Sequence, residues 1–348
     1  MGEVISAAAG TPARAQAFSF GDPEPTLGNR GLLDYVASWS NGKWYEPPVN
    51  LGGLSRTYKA APHHTSAIGV KRALLTSLFE PTPLLSRKMF SAVVLDYLVL
   101  ANGYLETKKS FTGRPVRLER AIGKYVRRGV DPGRFFFLGD PNGPRGSEYE
   151  FEPGSIIHIH EPDLDQEIYG IPEYLSALQA VLLNEGATLF RRRYYLNGSH
   201  AGFILYLNDS GMNEEDVDDL RQALKDSKGP GNFRNLFLYS PNGKKDGVQL
   251  IPVSEVAAKD EFLNIKNVSR DDMLAIHRVP PQLLGMVPTN AGGFGKVGEA
   301  AEVFVKHEIG PIQQALLEIN DQVGEEAVKF RPYEPIRSGA ATKAEADD

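Results

Sequence analysis

The chain has 348 residues, enough for two compact units or one elongated subunit, and 41% of them are hydrophobic, which supports a sizeable core and excludes wholesale disorder. It contains no cysteine, which excludes disulfide scaffolds, zinc ribbons and cysteine nucleophiles and fits assembly in a reducing cytoplasm. With 38 basic against 44 acidic residues the net charge is -6. Tight nucleic-acid binders show a basic excess, so a DNA partner would be passed along rather than held.

The opening MGEVISAAAGTPARAQAF has neither the basic start nor the continuous apolar core of a signal peptide. The most apolar run, Phe90 to Ala101, contains Asp96 and falls short of the about 20 apolar residues of a membrane span. The chain reads as soluble, with no membrane partner. Residues 1–40, rich in Gly, Ala, Pro and Ser, read as a flexible arm. Trp44-Tyr45 before Pro47-Pro48 reads either as an anchor into a surface groove or as packing on its own domain.

Residues 62–105 read as mostly helical. One run from Ile68 stops at Pro81; a second carries Phe90, Val93, Val94, Tyr97 and Leu98 at helical spacing and closes at Asn102-Gly103. Residues 104–160 read as short strands at Tyr104–Glu106, Arg134–Leu138 and Ile156–Ile159, with turn chemistry at residues 139–144. A helix of about 24 residues, roughly 36 Å at 1.5 Å per residue, follows Pro172 and stops at Asn197-Gly198.

Residues 199–253 read as a small α/β insert. It has strands at Phe203–Leu207, Leu236–Tyr239 and Val248–Pro252, and a helix capped by Asn213 with Glu214, Glu215 and Asp216 in its first turn. A second long helix runs from an N-cap at Ser254 to His277, with a break expected near Asn267-Val268-Ser269, and Pro280-Pro281 stops it. The glycine-rich loop Asn290 to Gly298 comes next, then a helix to about Ile319 that Pro311 should kink. A polar tail follows Phe330.

Three chemistries can be weighed directly. The glycine loop is not a phosphate-binding P-loop, because Val297 follows Lys296 and no strand precedes it. His158 and His160, two apart on a strand, share one face and stand near Glu161, Asp163 and Asp165. That pair would carry a metal-dependent nuclease or hydrolase; the alternative is a structural strand edge. No G-x-S-x-G elbow accompanies the serines and histidines, and His63-His64 reads as solvated.

The order of long helix, α/β insert, second helix, glycine-rich loop and third helix resembles that of phage portal proteins. Several segments look like the PBSX-type portal family of contractile-tailed temperate phages: Glu161-Pro162-Asp163 with QEIYGIPEYL from Gln166, ATLFRRRYY from Ala187, NGSHAG from Asn197, GNFRNLF from Gly231 and HRVPPQLLG from His277. The resemblance covers about residues 40–335. It implies an α+β portal fold: an arm over 1–40, a mixed α/β wing over 41–172, a first stem helix over 173–198 and a clip over 199–253. A second stem helix over 254–280, a tunnel-loop region over 281–298, a kinked C-terminal helix over 299–330 and a polar tail over 331–348 complete it, with little chain left for a large crown.

The resemblance also implies a non-enzymatic, cofactor-free subunit of a homo-oligomeric ring of about twelve copies. The ring would sit at one capsid vertex of the virion, after assembly in the host cytoplasm, beside the major capsid protein. Double-stranded DNA would pass through its channel; the terminase large subunit, then neck or adaptor proteins, would dock on it. Asn290, Gly292, Gly293, Phe294, Gly295 and Lys296 would line the channel, unless they form an ordinary surface loop. Arg191, Arg192, Arg193, Lys244 and Lys245 are candidates for DNA or intersubunit contacts, or are simply surface charges. Glu214, Glu215, Asp218 and Asp219 are clip docking candidates, or a solvated helix face. The two stem helices are expected to bury their leucine faces against the next subunit.

Overall fold

The computed structural model describes residues 38–139, 148–164, 166–196, 203–207, 248–252, 258–286 and 297–335. Among the described residues three helices come first. In α1 (Leu51–Thr57), Asn50 caps the start by accepting from the Gly53 N–H at 2.9 Å. Helix α2 (Pro62–Leu78) begins with proline in its first turn, where the missing N–H costs nothing. Helix α3 (Arg87–Leu100) is capped by the Ser86 hydroxyl and buries Phe90, Val93, Val94 and Tyr97 at the expected spacing.

The end of α3 departs from expectation. Ala101 itself turns left-handed, at φ 55°, and Asn102 and Gly103 begin a strand rather than cap the helix. Asn102 spends its amide elsewhere: Nδ2 donates to the carbonyls of Leu100 and Gly170, and Oδ1 accepts from the Gly170 N–H at 3.0 Å. Gly103 is needed for close approach, since a Cβ there would lie 2.9 Å from the Ile159 side chain.

Strand β1 (Asn102–Lys109) is the centre of an antiparallel sheet between β2 (Pro115–Ala121) and β6 (Ile156–His160). A second antiparallel sheet has the order β3 (Val126–Arg128), β4 (Phe135–Leu138), β5 (Glu148–Glu150). Alternation sorts the side chains. Leu105, Leu118, Ile157 and Ile159 join the helices in the main core, whereas Tyr104, Ala121 and Ile156 meet Val126, Phe135 and Phe151 on the other side. Trp44 packs on Phe136, with ring centres 5.4 Å apart, and its indole N–H donates to Glu46. It therefore packs on its own domain.

Beyond the sheets, a 3-10 turn at Glu173–Ala177 leads into α4 (Leu178–Leu196). Strands β7 (Phe203–Leu207) and β8 (Val248–Pro252) pair antiparallel, and α5 (Ala258–Ile276) follows. The expected break at Asn267-Val268-Ser269 does not occur. The Ser269 hydroxyl accepts from Asn184 Nδ2 of α4 at 2.8 Å and donates to the Lys266 carbonyl within its own helix at 3.4 Å, so it ties the helix pair together without breaking α5. Ser254, the Asn213 helix and the Leu236–Tyr239 strand lie outside the described residues.

The chain returns through α6 (Val297–Phe304), a π-helical turn at Val305–Ile309 and α7 (Gly310–Val323). Val297 and Gly298 are therefore helical, not loop. The expected kink at Pro311 takes the form of the wide π turn just before it, which accommodates a residue without an N–H. Ile312, Leu316 and Ile319 of α7 seal the main core, and Phe330 closes it against the stacked rings of Phe79 and Phe90.

Candidate functional site

Helices α4 and α5 are antiparallel partners. Val181 meets Met273 near the base, Asn184 bonds Ser269, and farther out Lys266 Nζ donates to Thr188 Oγ1 at 2.8 Å. As one number rises the other falls. The seam uses a narrow stripe of α4, with Leu178, Val181, Asn184 and Ala187 buried. Leu183 is 54% exposed, Leu263 62% and Val268 60%, so the pair keeps apolar surface on its outside. Arg191 and Arg192 are exposed, about 20 Å along α4 from Leu178 at 1.5 Å per residue.

The base of this pair is a buried polar junction. His64, expected to be solvated, is fully buried: starting α2 at Pro62 turns it inward on the face of Ala67, Ile68 and Lys71. His64 Nδ1 lies 2.9 Å from His277 Nε2, just beyond the end of α5, and Tyr174 packs edge-on to His64. Burial lowers the pKa of His64 to about 4, and burial with the nearby His64, Lys71 and Arg278 lowers that of His277 to about 2. Both rings are neutral near pH 7, so one N–H can donate to the other ring. Tyr174 donates its hydroxyl to the Val99 carbonyl.

Beside the histidines, Lys71 pairs with Glu308, both almost fully buried. Arg278, at a left-handed φ of 53°, reaches Glu308 at 3.1 Å and Glu173 at 2.9 Å. Glu308 comes from the π turn, Glu173 from the turn before α4, Lys71 from α2 and Arg278 from the exit of α5. Four segments are thus tied by charge at the point where the long pair leaves the body, around a cleft of about 210 Å³. The sequence held one signal for this junction: Lys71 lies on the same helical stripe as Ile68 and Leu75.

His158 and His160 do share a face, with rings 4.9 Å apart. One nitrogen of each ring is engaged elsewhere. His158 is stacked on Tyr104 at 4.3 Å, and its Nε2 lies 3.0 Å from Asn102 Oδ1; burial holds its pKa well below normal. His160 Nδ1 donates to the Glu161 carbonyl at 3.2 Å. Among the described residues no group of three or more His, Asp or Glu side chains is placed to hold a metal ion. The Arg193 side chain, Lys244, Lys245, Glu214, Glu215, Asp218, Asp219, Asn290, Gly292, Gly293, Phe294, Gly295 and Lys296 lie outside the described residues.

The family model described as phage portal protein matches residues 56–346. A probable portal protein of Escherichia phage P2 is 49% identical over 320 residues, 92% of each chain. One from Haemophilus phage HP1 is 35% identical over 294 residues, 83% of this chain and 85% of that one. Among solved structures, a chain in the virion of a native gene transfer agent particle aligns with a TM-score of 0.58 and 16% identity, over 84% of this chain and 86% of that one. A chain from the neck of that particle, computed with C12 symmetry, gives 0.57 at 18% identity, with the same coverage. An HK97 family phage portal protein from Corynebacterium diphtheriae gives 0.57 at 12% identity, over 80% of this chain and 94% of that one. Nothing in these matches supports a metal-dependent nuclease. Sequence relatives matched nearly end to end and a shared α+β fold agree: this chain belongs to the phage portal protein family and is a portal subunit.

Proposed function

We propose that the subunit closes with identical copies into a ring of about twelve at one vertex of the capsid, through which double-stranded DNA is packaged and ejected. The observation that carries this reading is the 49% identity to the phage P2 protein across 92% of both chains. The C12 symmetry named for the gene transfer agent neck belongs to that particle, and it supports a similar copy number here. The outward-facing Leu183, Leu263 and Val268 support it from within the molecule, since a lone subunit would leave them in water.

In this reading residues 41–172 are the wing, with α4 and α5 as stem helices. Residues 199–253 form the clip that receives the terminase large subunit and later the neck or adaptor proteins, with Glu214, Glu215, Asp218 and Asp219 as contacts. The segment 281–298 is the tunnel-loop region, and Asn290, Gly292, Gly293, Phe294, Gly295 and Lys296 touch the passing duplex. Arg191, Arg192, Arg193, Lys244 and Lys245 meet DNA or the adjacent subunit. Each phosphate neutralised by a basic group strengthens binding, so a ring of strong contacts would brake DNA. A chain of net charge -6 with few such groups lets it slide. The subunit performs no chemistry itself, and the segments quoted above favour the PBSX type. Electron microscopy of the purified protein tests the reading. A ring with a channel wide enough for duplex DNA is expected; a compact monomer at all concentrations overturns it.

A further inference from the structure

Two side chains in the main sheet region stand fully in water, Phe111 and Leu164, at 113% and 103% relative exposure. Their surroundings are opposite in charge. Phe111 tips the β1–β2 hairpin, where residues 108–117 read KKSFTGRPVR, with four basic residues and no acid. Leu164 lies in the loop after β6, where residues 161–167 read EPDLDQE, with four acids and no base. Lys109 and Arg114 are exposed and make no ion pair among the described residues; neither does the exposed Glu167. Lys108 and Arg117 are partly offset by Glu106 and Glu119.

Both features rest on ordered bases. At the hairpin tip the Ser110 N–H donates to the Arg114 carbonyl at 2.8 Å, the Gly113 N–H donates to the Ser110 carbonyl, and Gly113 adopts φ 81°. The acidic loop is pinned at its start by the Glu161 N–H on the Ala101 carbonyl. Its far side is held by buried Gln166, by Tyr169, whose hydroxyl donates to the Tyr45 carbonyl, and by the Gly170–Asn102 bond. Apolar side chains standing in water are costly to leave exposed, and the ordered hairpin tip loses little entropy on docking.

The sheet register places them at opposite ends. Lys109 pairs near Pro115 at the hairpin end of β1, while Asn102 pairs with His160 at the other, immediately before the acidic loop. Seven steps of strand separate the two ends by about 23 Å, so one copy cannot bring its own tips together. Complementary patches at opposite ends of a rigid element are what a head-to-tail ring contact requires.

We propose that the Phe111 hairpin of one subunit docks on the acidic Leu164 loop of the next copy of this chain, forming a heterologous contact between wings. This rests on the ring reading above. Phe111 and Leu164 cover each other while Lys109 and Arg114 face Glu167.

The cysteine-free chain allows a direct test. The full-length double variant Phe111→Cys/Leu164→Cys, assembled and mildly oxidised, should give a ladder of covalent oligomers on a denaturing gel. Each single variant should stay monomeric on that gel. Independently, Lys109→Glu should raise the protein concentration needed for half-assembly at least tenfold, and adding Glu167→Lys should restore most of it. Rings seen by microscopy whose double variant gives no ladder would overturn this contact and leave the ring reading intact. A covalent dimer from Phe111→Cys alone would overturn the head-to-tail geometry. Wild-type protein that forms no rings would overturn both readings.

Discussion

Lys71 and Glu308 are each less than one-tenth exposed, and they sit 237 residues apart in the chain. Removing one member of a buried pair leaves an uncompensated charge, which costs about 3–5 kcal/mol, whereas replacing both with apolar groups costs far less. Arg278 also touches Glu308, so the lower figure is expected here. Lys71→Met should cost about 3 kcal/mol in urea unfolding, and Lys71→Met with Glu308→Leu markedly less. Equal losses in the two variants would contradict the pairing.

The histidine pair sets a pH dependence. In the folded chain both rings titrate below 6.5, at about 4 for His64 and about 2 for His277, so the unfolded state binds protons first as pH falls. Stability is therefore full above pH 6.5 and declines below it, by up to about 1.4 kcal/mol per pH unit for each ring. Melting temperature should fall between pH 6.5 and 5, and His64→Gln with His277→Gln should lessen that fall, with the part due to buried His158 remaining. Gly170 offers a steric test. A Cβ there would sit 2.3 Å from the Ala101 carbonyl oxygen, so Gly170→Ala should cost about 3 kcal/mol in the same unfolding assay.

At the scale of elements, the helices were the readable part. Apolar spacing located α3 and α4, the Pro280-Pro281 stop bounded α5, and the β7 and β8 bounds match the apolar runs read from the sequence. Strands β2, β3 and β5 were hidden because PVRLERA, VRR and EYE carry charge on their open faces, where solvent tolerates it. His64 was misread because its burial depends on His277, a neighbour that no local pattern reveals. The same local view placed a break in α5 at Asn267-Val268-Ser269, where the partner of Ser269, Asn184, lies on another helix. For the helix pair, Leu263→Asp with Val268→Asp should leave helical content unchanged by circular dichroism and shift sedimentation from ring to monomer. Rings that persist would show that this surface faces solvent.

At the scale of the whole molecule, the glycine-rich segment lies in sequence between α5 and α6, and the ionic junction ties Arg278, just beyond α5, to Glu308 in the π turn that follows α6. In the proposed reading the segment acts on DNA and the scaffold holds the ring, so the two should be separable. Deleting Gly292 to Gly295 should leave rings assembled in micrographs and impair packaging or retention of DNA in particles carrying the variant. If rings failed to form, the loop would be part of the assembly contact instead.

The closure of Phe330 on Phe79 and Phe90 has a consequence in time. These rings lie about 250 residues apart, and the His64–His277 and Lys71–Glu308 contacts span 213 and 237 residues. At about 5–20 residues per second, a ribosome that has finished α2 works for roughly 12–50 s before Phe330 emerges. Throughout that interval the first helices lack their cover. Loop closure over such spans is slow and comes late. The nascent chain thus leaves the apolar faces of its first helices uncovered, and a subunit with a finished core must await the near-completion of its own synthesis. Chains stalled near residue 290 should be cut rapidly by protease where released full-length protein resists it.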